Sequence, residues 1–162
     1  MHIDYLADHR AFIPTLARWH HAQWSYLSPG DSLERRVERL HKHAGKSQIP
    51  VTFVAYNRAE DETETVVGSA SLIAQDMDTH PELSPWLASV YVAAEQRRQG
   101  IGSALVRRVA AEAAALDVVK LYLFTPDQER FYARLGWTRS EQCIYRGYPQ
   151  VVMTLALERQ AP

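Results

Sequence analysis

Residues 89–105, SVYVAAEQRRQGIGSAL, contain the pattern that decides the fold. An apolar strand ends near Val92, a polar loop with two arginines follows, and two glycines open a long helical pattern. Backbone N–H groups in the first turn of a helix lack helical partners and carry a partial positive charge. Because glycine lets a ligand approach the backbone closely, this turn suits phosphate or pyrophosphate. Arg97 and Arg98 would add charge-assisted contacts.

The two standard nucleotide-binding motifs do not match this turn. A Walker loop requires a lysine directly after its last glycine, and none follows Gly100 or Gly102. A dinucleotide fingerprint requires three glycines near the first βα turn of a domain, whereas these two come late in the chain. A phosphate-loop nucleotide protein, which would bind ATP or NAD, therefore stays only as a rival interpretation.

The spacing Arg97-x-x-Gly100-x-Gly102 after an apolar strand resembles the acetyl-CoA motif of the GNAT N-acetyltransferase superfamily. A second segment, FYARLGW at residues 131–137, resembles the later FY-x-x-x-G-aromatic segment of the same superfamily. The segment PWLASVYV at residues 85–92 is similar to a bacterial-type subgroup. The resemblance covers nearly the whole chain, and its N-terminal third matches by pattern only.

The elements around the motif predict the order β-α-α-β-β-β-α-β-α-β-β. Strands are predicted at residues 1–5, 51–56, 65–74, 86–92, 121–124, 138–145 and 151–157. Helical patterns begin near Phe12 and Leu33, and two more cover residues 100–116 and 127–135. We expect one α/β domain over residues 1–162, a GNAT fold with a central mixed, twisted sheet of about six to seven strands and about four flanking helices.

The resemblance implies a role for each motif residue. Backbone amides from Arg98 to Ala104 would hold the pyrophosphate of acetyl-CoA, in a fold whose central strands splay to make a slot for the pantetheine arm. Tyr132 matches the general acid that protonates the departing CoA thiolate, a proton that a phenol near a thiol can share. The expected cofactor-binding residues are Val90, Tyr91, Val92, Arg97, Arg98, Gln99, Gly100, Ile101, Gly102, Ser103 and Ala104.

The general base is less clear, because several superfamily members place a glutamate near the position of Trp86. We assign the base to Glu82 in the preceding loop, whose other candidates are Asp76, Asp78 and His80. The resemblance implies direct attack of an amine on the thioester without an acyl-enzyme, so Cys143 is not expected to act as a nucleophile.

These roles predict an N-acetyltransferase that uses acetyl-CoA as co-substrate and a primary amine of a small molecule as acceptor. The alternatives are a peptide or protein N-terminus as acceptor, or a non-catalytic acyl-CoA-binding module. The acceptor is expected between the first two helices, the loop at residues 76–85 and the turn at residues 145–149. A homodimer is one assembly that the resemblance implies.

Composition excludes several other classes of protein. The chain has 162 residues and one cysteine, so it is not a disulfide scaffold, and we expect a cytoplasmic location. No apolar run is long enough for a membrane span, and the net charge of −1 disfavours a nucleic-acid partner. His20–His21 and His41-x-His43 lack the i,i+4 spacing of a strong metal site, so no metal is expected.

The net charge is an average over unlike segments. Residues 59–95 contain eight acidic residues and no lysine or arginine, whereas residues 96–108 contain four arginines and no acid. The basic segment coincides with the expected phosphate loop and suits an anionic cofactor. The acidic segment borders the expected acceptor side and favours a cationic amine.

Overall fold

The computed structural model describes residues 1–158. Within this range seven strands form one mixed sheet in the order β1-β2-β3-β4-β5-β7-β6, in which β4 and β5 are parallel and the other neighbours are antiparallel. The strands are β1 His2–Tyr5, β2 Val51–Arg58, β3 Glu64–Ile73, β4 Trp86–Val92, β5 Lys120–Thr125, β6 Thr138–Tyr145 and β7 Tyr148–Ala156.

The four α-helices of this range cover both faces of the sheet: α1 Ile13–Trp24, α2 Leu33–Lys42, α3 Ile101–Ala115 and α4 Glu129–Arg134. The alternation along β2 shows the two layers. Phe53 packs in the core under α3 and α4, whereas Val54 packs in the core under α1 and α2. None of the helices in residues 1–158 is both long and apolar enough to cross a bilayer.

The predicted order of strands and helices is confirmed, as is the mixed GNAT-like sheet. Two local predictions were wrong. The strand predicted at residues 151–157 begins earlier, at Tyr148. The turn before it consists only of Arg146 and Gly147, which both have positive φ, and Pro149 pairs with Ile144 inside the hairpin. The last helix begins at Glu129 and not at residue 127, and the Gln128 amide donates to the Thr125 hydroxyl at 3.0 Å in the loop before it.

The feature of the fold that creates the site is the separation of β4 from β5. Within the described residues these two parallel strands pair at one position, Trp86 with Tyr122. Beyond this pair, β4 continues to Val92 and β5 to Thr125, and within the described residues the two strands do not pair with each other again. The strands therefore splay toward their carboxyl ends and leave a gap in the middle of the sheet.

Candidate active site

A cavity of about 220 Å³ occupies the gap between the splayed strands; we call it the first cavity. Its walls include residues 87–90 of β4, residues 123–125 of β5 and Tyr132 of α4. A second cavity of about 460 Å³ adjoins it. The two share seven lining residues: Ser28, Arg39, His43, Ile73, Asp76, Tyr145 and Arg146. The slot in the sheet thus shares a wall with a pocket lined by α2 and neighbouring loops.

β4 carries a bulge where it lines the first cavity. Ser69 of β3 pairs with Tyr91 and Ser71 pairs with Ala88, so β4 has one more residue than β3 over this interval. The extra length is taken up at Ser89, whose φ of 53° lies in the left-handed region. Bulges re-aim the backbone of a strand, and this one turns groups of β4 toward the slot.

A buried hydrogen-bond chain holds this bulge in place. The Ser69 hydroxyl donates to the Ser89 carbonyl at 2.9 Å, and Nε2 of His20 lies 2.8 Å from the same hydroxyl oxygen. Because the single hydroxyl proton is used on Ser89, Nε2 of His20 is the donor in the second bond. Burial lowers the pKa of His20 to about 3, so the ring is neutral at physiological pH, as this tautomer requires.

The predicted phosphate loop forms an open cradle at the start of α3. Arg98 and Gly100 have φ values of 65° and 81°, and within residues 1–158 no amide from 98 to 103 donates to a backbone carbonyl. The Ala104 amide already donates to the Gly100 carbonyl at 3.1 Å, so the expected row of free amides ends at Ser103. A Cβ on Gly100 would meet no atom within 4 Å, which confirms that space lies above the loop.

The two arginines of the loop behave differently. Nε of Arg97 donates to the Val92 carbonyl at 2.9 Å, and its guanidinium carbon lies 5.6 Å from the centre of the Tyr91 ring. Arg97 therefore anchors the loop to β4. Arg98 is exposed and makes no side-chain hydrogen bond within the described range, so it is available to an anionic ligand.

Tyr132 lies where the resemblance places the general acid. Its side chain lines the first cavity and only 9% of its surface is exposed. Burial, with a smaller contribution from the charge of Asp127, raises its pKa well above the usual range. The hydroxyl therefore stays protonated and can donate toward a sulfur on which negative charge develops.

The four acidic or basic candidates of the β3–β4 loop are placed differently around the cavities. Glu82, the assigned base, is exposed and outside the lining of both cavities. His80 is hydrogen-bonded to Glu141 at 3.1 Å, and Asp78 lines only the second cavity. Asp76 lines both cavities, which makes it the best-placed candidate.

The surroundings of Asp76 suit a base. Burial raises the pKa of its carboxyl to about 6, and the positive charges of Arg39, Arg36 and Arg146 oppose that rise. At neutral pH the carboxylate is ionised, yet it is more basic than an ordinary aspartate. Because Asp76 lies next to the slot and Glu82 does not, we take Asp76 as the candidate base in place of Glu82.

Four basic residues around the same cavities were not predicted from the sequence: Arg36, Arg39, His43 and Arg146. Their spacing on α2 was the available indication, because positions 36, 39 and 43 recur at helical intervals on one face. Of the eight acids in residues 59–95, only Asp76 and Asp78 line either cavity. The surroundings of the cavities therefore do not support the cationic acceptor that the charge of residues 59–95 favoured.

The histidine pairs noted in the sequence separate in the structure. His20 bonds Ser69, whereas Nδ1 of His21 lies 3.1 Å from Asp31. A set of potential metal ligands does come together elsewhere: atoms of His80, Glu141 and Cys143 lie within 4.8 Å of one another. None of the three residues lines the first cavity, and His80 and Glu141 are already joined by a hydrogen bond.

Solved structures share this architecture. The aminoglycoside 6'-N-acetyltransferase of Enterococcus faecium superposes with a TM-score of 0.72 at 18% identity, covering 100% of both chains. The ribosomal-protein-alanine N-acetyltransferase of Brucella melitensis has a TM-score of 0.72 at 21% identity, covering 97% of this chain and 100% of its own. A phosphinothricin acetyltransferase from Sinorhizobium meliloti, in complex with acetyl-CoA, has a TM-score of 0.70 at 18% identity, covering 96% of this chain and 88% of its own.

Identities this low establish a common fold and leave the acceptor open. No curated protein matches the chain significantly. The family model for the acetyltransferase (GNAT) domain, however, matches residues 50–139, more than half of the chain and the part that contains β4, the phosphate loop and Tyr132. With the splayed β4 and β5, this match shows that the chain belongs to the GNAT family of acetyl-CoA-dependent N-acetyltransferases.

Proposed function

We propose that this protein transfers the acetyl group of acetyl-CoA directly to a primary amine of a small molecule. The observation that carries the proposal is the shared wall of two cavities: Asp76 lines both the slot between β4 and β5 and the adjoining pocket. Cavity volumes of about 220 and 460 Å³ fit a small acceptor.

The residues present fit acetyl-CoA. The free amides of residues 98–103 and the exposed guanidinium of Arg98 form a cradle for the pyrophosphate. The open space above Gly100 leaves room for it. The unpaired edge of β4 beyond Trp86 offers backbone groups to the amides of the pantetheine arm. Bound there, the co-substrate would supply the activated acetyl thioester.

The protein groups can then manage the two proton movements of the transfer. The amine nitrogen attacks the thioester carbonyl carbon, the C–N bond forms, and the C–S bond breaks with its electron pair leaving on sulfur. Asp76 accepts the proton that the amine loses. Tyr132 donates its hydroxyl proton toward the sulfur, so that the thiolate does not leave as a bare anion in a buried slot.

Thiol release from acetyl-CoA in the presence of a panel of primary amines tests the proposal. We expect amine-dependent release with the wild-type protein. Tyr132→Phe should lower kcat by about 10²- to 10⁴-fold while acetyl-CoA still raises its Tm. Tyr122→Phe, a change of the same kind on β5 outside both cavities, serves as the control. If acetyl-CoA binds, no amine accelerates release, and Tyr132→Phe changes nothing, the protein is a binding module instead.

A further inference from the structure

Two opposite charges that line both cavities have no protein partner among the described residues. Arg39 and Asp76 both line the first and the second cavity. Within residues 1–158, neither side chain forms an ion pair or a side-chain hydrogen bond, although ion pairs are present nearby. Arg39 is exposed and Asp76 is half-buried, so both charges are accessible to a ligand that carries the complementary charges.

The neighbouring arginines are already committed to protein groups. Nε of Arg36 donates to both carboxylate oxygens of Asp31, at 3.1 and 3.0 Å. Nη2 of Arg146 lies 2.8 Å from the carboxylate of Asp78. Burial lowers the pKa of His43 to about 4, so this ring is uncharged at neutral pH. Among the described cavity-lining cations, Arg39 is therefore the guanidinium whose donors remain unused.

Arg39 and Asp76 complement a molecule that carries both an anion and an amine. A guanidinium offers a planar pair of donors that matches a carboxylate. Asp76 lies close enough to Arg39 for their charges to interact, since Arg39 lowers the pKa of the Asp76 carboxyl. A polycationic acceptor would instead place further positive charge beside the guanidinium of Arg39 and leave that group without an anion.

We propose that the acceptor is a small amino carboxylate of the amino acid class, whose carboxylate binds Arg39 and whose amine faces Asp76. This assignment rests on the proposed acetyl transfer and names its substrate class. In this arrangement the amine of the acceptor is also the polar partner that Asp76 lacks among the described residues.

The test compares the standard amino acids with their matching carboxamides, in which a neutral group of similar shape replaces the carboxylate. The kcat/KM of acetyl-CoA-dependent thiol release is measured for both sets, with spermidine as a polycationic amine. We expect the preferred amino acid to exceed its carboxamide and spermidine by about tenfold or more, as one charge-assisted contact provides.

Two variants of α2 locate that preference. Arg39→Gln should bring the carboxylate and the carboxamide to similar kcat/KM, and Arg39→Lys should restore part of the difference. Arg35→Gln is the matched control, because Arg35 is an exposed arginine of the same helix outside both cavities, bonded to the Gly30 carbonyl at 2.6 Å. It should retain the full preference.

Binding of the product gives a readout that needs no turnover. In the presence of CoA, the N-acetylated form of the preferred amino acid should raise the Tm of the wild type and of Arg35→Gln, but not of Arg39→Gln. Equal use of carboxamides, faster use of spermidine, or a preference that survives Arg39→Gln would overturn this inference while leaving acetyl transfer intact. Absence of transfer to any amine would overturn the proposed function itself.

Discussion

His20 on α1 and Ser69 on β3 lie 2.8 Å apart, Nε2 to Oγ, in the interior of the protein. Their exposed fractions are 2% and 0%, and the Ser69 hydroxyl donates a hydrogen bond to the Ser89 carbonyl at the bulge of β4. A helix on the acceptor side thereby fixes the backbone of the strand that borders the slot. Trp19 of the same helix reinforces this contact, since its ring stacks 5.2 Å from the ring of Tyr91.

Ser69→Ala should impair both stability and catalysis. The change leaves the His20 donor and the Ser89 carbonyl without a buried partner, which costs about 1–3 kcal/mol of the free energy of unfolding. A relaxed bulge also misplaces the edge of the slot, and we expect kcat/KM for acetyl-CoA to fall on the order of tenfold to hundredfold. Denaturant unfolding and thiol-release kinetics measure the two effects.

Ser71→Ala is the matched control for this prediction. Ser71 is equally buried on the same strand, but its hydroxyl lies 2.7 Å from the Thr52 hydroxyl and makes no bond to the bulge. It should lose similar stability and keep the kinetics for acetyl-CoA. If both variants lost the same kinetic fraction, the chain from His20 to Ser89 would have no special role in the slot.

The pH dependence of stability should reveal the buried neutral state of His20. The unfolded chain binds a proton on this ring below its ordinary pKa of 6.5, whereas the folded protein does not until about pH 3. Stability therefore falls as pH decreases through this window, by at most about 1.4 kcal/mol per pH unit for one such group. His43, with a folded pKa of about 4, adds a similar loss over a narrower range.

His20→Gln separates the two contributions, because glutamine can donate to Ser69 but does not titrate. Its free energy of unfolding should change less between pH 7 and pH 4.5 than that of the wild type. If His20→Gln and the wild type changed by the same amount between these two pH values, the ring would be protonated in the folded protein.

Asp76→Asn should remove one limb of the pH–rate profile. The carboxylate acts as a base only when ionised, so kcat/KM of the wild type should rise with pH and level off above about pH 6. The variant should lose at least about 10²-fold in kcat at pH 7 and show no limb near pH 6. Glu82→Gln, in the same loop, should retain the wild-type profile; the reverse pattern would restore Glu82 as the base.

Gly100→Ala should weaken acetyl-CoA binding more than it destabilises the fold. Alanine at a φ of 81° costs about 1–2 kcal/mol, and the added methyl meets no protein atom within 4 Å. Gly147→Ala provides the control, since Gly147 has a φ of 86° and equally open surroundings in the β6–β7 turn. Both should lose similar Tm, and calorimetric titration should show weakened acetyl-CoA binding for Gly100→Ala alone.

The parts of the fold that depend on local pattern were predictable. β4 begins and ends at the predicted residues because its apolar run is interrupted only at Ser89. The helix after the glycines was equally clear. These features depend on residues that are close together in the sequence, and so does the family motif.

The acceptor side was not predictable by the same reasoning. Whether Glu82 or Asp76 faces the cavity depends on the path of a loop without regular structure, and both residues have the same chemistry in the sequence. The bulge of β4 lies at a serine, Ser89, so no glycine in the sequence indicates it. A hydrogen bond from Ser69 on β3 supports the positive φ of Ser89. Arg39 reaches the site through the packing of α2 against α1, which segment charge does not reveal.

The central claim is that acetyl-CoA binds along β4 and over the start of α3. Hydrogen exchange with and without saturating acetyl-CoA tests it most directly, because the amides of residues 98–103 have no backbone acceptor within the described chain. We predict slowed exchange at residues 89–92 and 98–103, with little change at residues 36–43. Saturation without protection of residues 98–103, or protection confined to the α2 side, would contradict the account.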